Sequence, residues 1–220
     1  MADTHEVTQN LMQMYGMGTK IRQLNQRLFI TLSGLRHLSP GARILDCGCG
    51  TGHMIQTLVS MGFHDVAGLD ASQDMVEAAR ILTGKKIVCC NAGDLAQHFP
   101  AETLDAIVLS NVIHHLPSVT EWRRLFSAAA GALTPSGMLF IREPHPGIVV
   151  RMLERMSHYQ VFYIGLMKPV LRSFVEESEL VNHFFANWPS CGKTLLEENH
   201  FQIRREFSMV LHWVTVSQKS

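Results

Sequence analysis

The chain has 220 residues, of which 46% are hydrophobic, with 19 Lys and Arg balanced by 19 Asp and Glu. That length fits one domain, spanning 1–220, that can bury a full core. The charge balance excludes a basic field for nucleic acid or an anionic membrane surface and leaves a small neutral substrate or a neutral protein face.

The N-terminal stretch 1–38 carries Leu11, Met14, Tyr15, Ile21, Leu24, Leu28, Leu32 and Leu35 mostly at three- and four-residue steps, interrupted by Gly16 and Gly18. The spacing predicts two helical pieces with a joint near Tyr15. Met-Ala-Asp-Thr-His-Glu at the start lacks the basic and apolar regions of a secretory signal, and no apolar run is long enough to span a bilayer. Five cysteines, an odd number, sit near predicted strands, so a disulfide framework is not expected. A reduced, cytoplasmic setting follows. Cys47-x-Cys49 with His53 has no second Cys or His pair at ligand spacing. No metal is expected, and the cysteines read as small buried residues.

Ser39-Pro40-Gly41 turns the chain into Arg-Ile-Leu-Asp-Cys-Gly-Cys-Gly-Thr-Gly-His-Met-Ile-Gln-Thr-Leu, residues 43–58. Ile44 and Leu45 end a buried strand, Gly48, Gly50 and Gly52 form a tight turn, and Met54, Ile55 and Leu58 face inward from the next helix. Glycines at alternate positions let the backbone approach a nucleotide-like ligand closely. A dinucleotide site would want Gly-x-Gly-x-x-Gly and open amides for a pyrophosphate, which Asp46 would repel. An ammonium and a sulfonium suit Asp46 better. The leading acid and the Asp46-x-Gly48-x-Gly50-x-Gly52 spacing resemble the first motif of class I S-adenosylmethionine (SAM)-dependent methyltransferases.

Val66 to Leu69 predict a second strand ending at Asp70, which lies about twenty residues past the turn, where a ribose-binding acid belongs. Ser72 reads as the N-cap of a helix carrying Met75, Val76, Ala79 and Leu82. The resemblance implies that the segment Asp70-Ala71-Ser72 with Met75 wraps ribose and adenine. A third strand is expected over Lys86 to Asn91, after which the resemblance places Asp94 at the adenine amino group, with the backbone near Leu95 reading the ring. Leu104 to Ser110 form a continuous apolar strand of the doubly covered kind. Its end presents Asn111, His114 and His115 where an open α/β sheet holds its ligand, and Asn111 is implied to offer its carbonyl to the cofactor ammonium. Relatives that methylate amides or exocyclic amines place an Asn or Asp, two prolines and an aromatic here. This chain does not, which argues against DNA or glutamine targets.

Trp122, Leu125, Phe126, Ala129 and Leu133 give a helical stripe. Leu133 to Gly137 are expected to close that helix and Met138 to Arg142 to form the fifth strand. Beyond it, Glu-Pro-His-Pro-Gly breaks the pattern, and residues 143–189 read as a helical cap inserted over the strand ends. A helix over Cys191 to Asn199 and two strands over Phe201 to Ser217 complete the chain. The expected architecture is a doubly wound α/β fold: by resemblance, a mostly parallel seven-stranded sheet with an antiparallel C-terminal strand, a helical N-terminal lid and the helical insertion after the fifth strand.

SAM is already activated, so a base is needed only for a protonated acceptor. Candidates are His114, His115, Glu143, His145, His158, Tyr159, Tyr163 and His183, with His115, His145 and Tyr159 taken as catalytic. One histidine of the 114–115 pair is expected to pack or orient its loop. Glu143 and His145 read as members of a loop stiffened by Pro144 and Pro146. The stretch 1–38 is open to two readings, plain packing or a lid with Tyr15 facing the methionine end and Lys20 or Arg22 near the carboxylate. The aromatics Tyr159, Phe162, Tyr163, Phe184, Phe185 and Trp188 read either as an apolar substrate pocket or cation–π cradle for the sulfonium, or, at helical spacing, mostly as core. A methyltransferase for a small molecule, working as monomer or homodimer, is the leading expectation. Two others keep the cofactor site: a SAM-consuming enzyme that releases methylthioadenosine without methylating anything, and a non-catalytic SAM-binding partner.

Overall fold

The computed structural model describes residues 19–144, 180–209 and 212–220. These residues form a seven-stranded sheet of order β3-β2-β1-β4-β5-β7-β6. Its strands are β1 (Ile44–Cys47), β2 (Val66–Asp70), β3 (Ile87–Cys89), β4 (Leu104–Ser110), β5 (Leu133–Pro144), β6 (Phe201–Ser208) and β7 (His212–Lys219). The pairs β1 with β2, β1 with β4, β2 with β3 and β4 with β5 are parallel, and β7 runs antiparallel to both β5 and β6. The expected doubly wound, mostly parallel sheet is what the chain forms.

Alternation along each strand divides the core in two. Ile44, Ala106, Val108 and Phe140 point to one side, where Phe29 and Ile30 of α1 (Thr19–Leu32), Ile55 and Leu58 of α2 (His53–Ser60) and Val76 and Ala79 of α3 (Gln73–Thr83) meet them. Leu45, Ile107, Leu109, Leu139 and Ile141 point to the other side, against Trp122, Leu125 and Phe126 of α4 (Val119–Ala132) and Leu195 and Leu196 of α6 (Lys193–Glu198). Being covered on both faces, the middle of β4 has no polar side to show, hence the apolar run Ala106 to Leu109. Between α4 and α6, a helical stretch over 180–187, α5, leads into a π-helical turn at Trp188–Gly192. Phe184 and Trp188 stack at 5.1 Å and pack on Trp122 and Phe126. For Phe184 and Trp188, core is the reading observed, while Tyr159, Phe162 and Tyr163 lie outside the described residues. Ser72 caps α3 by accepting the Met75 amide.

Several boundaries differ from the sequence reading. The third strand is shorter, Ile87–Cys89. The last helix starts later, at Lys193, after the π turn. The fifth strand is longer at both ends: Leu133 already pairs with Leu104 ahead of a register irregularity, and Glu143 and Pro144 pair with Trp213 and His212 of β7. Pro144 lacks an N–H, but a proline is tolerated at the end of a strand. Glu143 is therefore a strand residue, not part of a surface loop. Among the described residues, no helix is long and apolar enough to cross a membrane.

Candidate functional site

The C-terminal ends of β1, β2, β4 and β5 lie side by side, and the turns leaving them converge. From β1 the chain enters three left-handed glycines, Gly48, Gly50 and Gly52, at φ 79°, 51° and 88°. Two of these matter most for a ligand. A Cβ on Gly48 would sit 2.4 Å from Val112 Cγ2, so the turn and the loop after β4 can touch only through a glycine. A Cβ on Gly50 would meet nothing within 4 Å, so open space adjoins the backbone there.

Asp70 ties the first two turns together. Its Oδ2 accepts the Gly50 N–H at 2.8 Å and its Oδ1 the Ser72 N–H at 2.9 Å. The amides of Gly48 and Cys49 both donate to the Leu69 carbonyl. The glycine turn is thus fixed from β2 as well as by its own chain.

Asp46 lies beneath this turn with 1% of its surface exposed, and its Oδ2 has no hydrogen-bond partner among the described residues. Burial first, and then the Asp70 charge, push its pKa up to about 7 against the opposing pull of Arg142. A carboxyl whose pKa is raised on folding contributes stability in full below its unfolded value, near 3.8, and loses it as pH rises through about 7. Urea unfolding should therefore show wild type losing about 2–3 kcal/mol between pH 5 and pH 8.5 relative to Asp46→Asn, whose curve lacks this dependence. Parallel pH profiles for the two proteins would overturn the assignment.

The loop after β4 is built on a buried carboxylate. Glu143, fully buried, accepts the Val112 and Ile113 amides on Oε1 at 2.9 and 2.8 Å and meets His114 Nδ1 through Oε2 at 2.5 Å. His114 is 1% exposed and His115 exposed, with the two rings 4.0 Å apart. His114 is the member of the pair that orients the loop. Asn111 is exposed in a left-handed conformation, φ 59°, and donates its N–H to the Arg142 carbonyl at 2.8 Å.

The structure brings Asp46, Gly48, Gly50, Gly52, Asp70 and Asn111 to one group of strand ends, with Ala71 exposed and Met75 half-buried beside Asp70. Asp94 follows β3 in a 3-10 turn, and its Oδ1 accepts from Arg124 at 2.8 Å and Gln97 at 3.3 Å. Leu95 is fully buried in the core, which leaves its backbone as the part that can meet a ligand. Lys20 is exposed on α1. Tyr15, His145, His158, Tyr159 and Tyr163 lie outside the described residues. Burial drives the Cys47 and Cys49 thiols upward in pKa, so both stay protonated.

Two residues at these strand ends were not singled out from the sequence. Arg142 is 5% exposed, and its Nη2 lies 3.0 Å from Nε2 of His212, which is 9% exposed. The available signal was an arginine closing the apolar run Met138 to Ile141.

Comparison with known proteins gives this arrangement its relatives. A family model described as a methyltransferase domain matches residues 45–141. The human probable tRNA methyltransferase 9B is 36% identical over 107 residues, covering 49% of this chain and 22% of its own. The ubiquinone biosynthesis O-methyltransferase of Mesorhizobium japonicum is 35% identical over 107 residues, covering 46% of this chain and 40% of its own. The chain thus spans less than half the length of these curated relatives. Among solved structures, a SAM-bound magnesium protoporphyrin IX methyltransferase from Synechocystis has a TM-score of 0.58 at 16% identity, covering 90% of this chain and 80% of that one. The PH0226 protein from Pyrococcus horikoshii reaches a TM-score of 0.64 at 18% identity, with 90% and 92% covered. At such identities the likeness is one of fold.

Proposed function

We propose that this chain, which belongs to the class I (Rossmann-like) SAM-dependent methyltransferases, transfers the methyl group of SAM to a small-molecule acceptor. The observation that carries the reading is the Asp70 carboxylate joining the two turns beside an open Gly50 backbone and a buried Asp46 oxygen. These residues fit the cofactor. Each Asp70 oxygen has one lone pair engaged by an amide and one left for a ribose hydroxyl. Asp46 supplies an acceptor for the ammonium, and Asn111 adds its carbonyl. Ala71 and Met75 flank the ribose and adenine, and Asp94 with the Leu95 backbone reads the adenine edge.

When bound, SAM supplies a methyl group on a sulfonium leaving group. The protein's tasks are then alignment of the acceptor and exclusion of water. Glu143 fixes His114 and with it the loop that carries His115, an exposed imidazole at the strand ends suited to taking a proton from an acceptor. His145 and Tyr159 of the cap and Tyr15 of the lid complete this reading, which places the enzyme in the cytoplasm as a monomer or homodimer.

The relatives' names divide between ubiquinone biosynthesis and tRNA. The equal numbers of basic and acidic residues favour a small acceptor over a polyanion. The test is incubation with SAM and a cell extract split by size. The small-molecule fraction should yield S-adenosylhomocysteine and a methylated metabolite. Transfer to the tRNA fraction alone, or methylthioadenosine formed without any acceptor, would overturn the proposal.

A further inference from the structure

Three buried polar groups on the same face of the sheet lack hydrogen-bond partners among the described residues: Asp46 Oδ2, Arg142 Nε and His212 Nδ1. Register puts them on that face. Asp46 is opposite Val108 and Val108 opposite Phe140, two residues before Arg142, while Arg142 is opposite Val214, two residues after His212. Side chains two apart along a strand, or directly opposite across a pair, point the same way. This is the face covered by α1, whose Phe29 ring lies 5.8 Å from the Arg142 guanidinium.

The polarity of each group is fixed by its neighbours. A guanidinium only donates, so His212 Nε2 accepts from Arg142 and the ring proton sits on Nδ1. Burial and the adjacent arginine push the His212 pKa down to about 3, which keeps the ring neutral. Burial lowers Arg142 to about 10, still cationic at neutral pH. The nearby Glu143 carboxylate is committed elsewhere, to two amides and His114. The face therefore holds a carboxyl with a spare acceptor near a cation and an imidazole with spare donors.

Leaving such groups unsatisfied costs about 1–3 kcal/mol each, so a native protein normally gives them a partner. A lone anion would fit Arg142 but not Asp46, and a lone cation the reverse. A zwitterionic α-amino acid group fits both. We propose that Arg142, with His212 beside it, receives the carboxylate of the amino-acid end of SAM while Asp46 receives its ammonium. This assignment rests on the SAM reading above and replaces Lys20 or Arg22 as the expected carboxylate partner. The buried site would also select an intact α-amino acid end against cofactor analogues that lack one charge.

Calorimetric titration of the full chain with SAM and with decarboxylated SAM tests it, since the two share nucleoside, sulfonium and ammonium. Wild type should bind SAM at least about 10-fold tighter, the effect of a charge-assisted hydrogen bond. In Arg142→Met that preference should fall towards unity, chiefly because SAM binds more weakly. His212→Leu should reduce the preference partially, and it carries the test if Arg142→Met does not fold. Equal affinity of wild type for the two ligands would assign the three groups to a buried water network and overturn the proposal. So would a preference that survives both substitutions. If wild type bound neither ligand, the SAM reading itself would fail, an outcome distinct from equal binding of both.

Discussion

Replacing Glu143 with alanine should lower the unfolding free energy by about 3–5 kcal/mol, the range for removing one partner of a buried charged network. The side chain is fully buried and satisfies three donors or donor-capable groups: the Val112 amide, the Ile113 amide and the His114 ring. Alanine leaves all three inside without their acceptor. Glu143→Gln should cost less, about 1–2 kcal/mol, because its carbonyl can still accept both amides while its NH2 group faces His114. Urea denaturation checks the ordering, and hydrogen exchange checks its cause. The Val112 and Ile113 amides should lose protection in the alanine variant and keep it in the glutamine variant. Cofactor affinity should fall with the loop, since Val112 fills the space in front of Gly48. If alanine at 143 costs less than about 1 kcal/mol, the carboxylate is not what holds this loop.

Most of the sheet is legible from the sequence because strand and helix periods differ and the buried strands are short apolar runs. Ile44 with Leu45, Val66 to Leu69 and Leu104 to Ser110 mark three parallel strands, and the glycine turn and Asp70 mark two of the strand ends that form the candidate site. Local signals fail where a long-range partner decides. Glu143 and Pro144 read as a break because Glu-Pro-His-Pro-Gly is turn chemistry, yet pairing with Trp213 and His212 extends the strand through them. Leu133 to Gly137 likewise read as a helix end, while pairing of Leu133 with Leu104 draws them into β5. The same blindness hides Arg142 and His212, which lie 70 positions apart in the chain and meet only when β7 docks antiparallel on β5. The His114 and His115 pair is ambiguous in sequence for a related reason. Which imidazole turns inward depends on Glu143, 29 positions on in the chain and on the neighbouring strand β5.

Asp70→Ala should weaken SAM binding by at least about 100-fold, the largest effect expected on the cofactor side. Two losses combine. The carboxylate no longer holds the Gly50 and Ser72 amides, so the glycine turn and the start of α3 lose their common anchor. Both acceptor positions proposed for the ribose hydroxyls go as well, and a diol matched to a carboxylate makes charge-assisted bonds stronger than those of water. Asp70→Asn separates the two contributions. Its single oxygen can keep one amide, but its NH2 group opposes the other N–H and offers a diol only one acceptor site. Its affinity should fall between wild type and alanine. Stability should change little in either variant, because Asp70 is half-exposed and water can reach the amides it leaves. Parallel calorimetry and thermal melts give both quantities. A folded Asp70→Ala protein that binds SAM within about 5-fold of wild type would reduce Asp70 to a loop anchor, and the ribose would need another partner on the rim of the glycine turn.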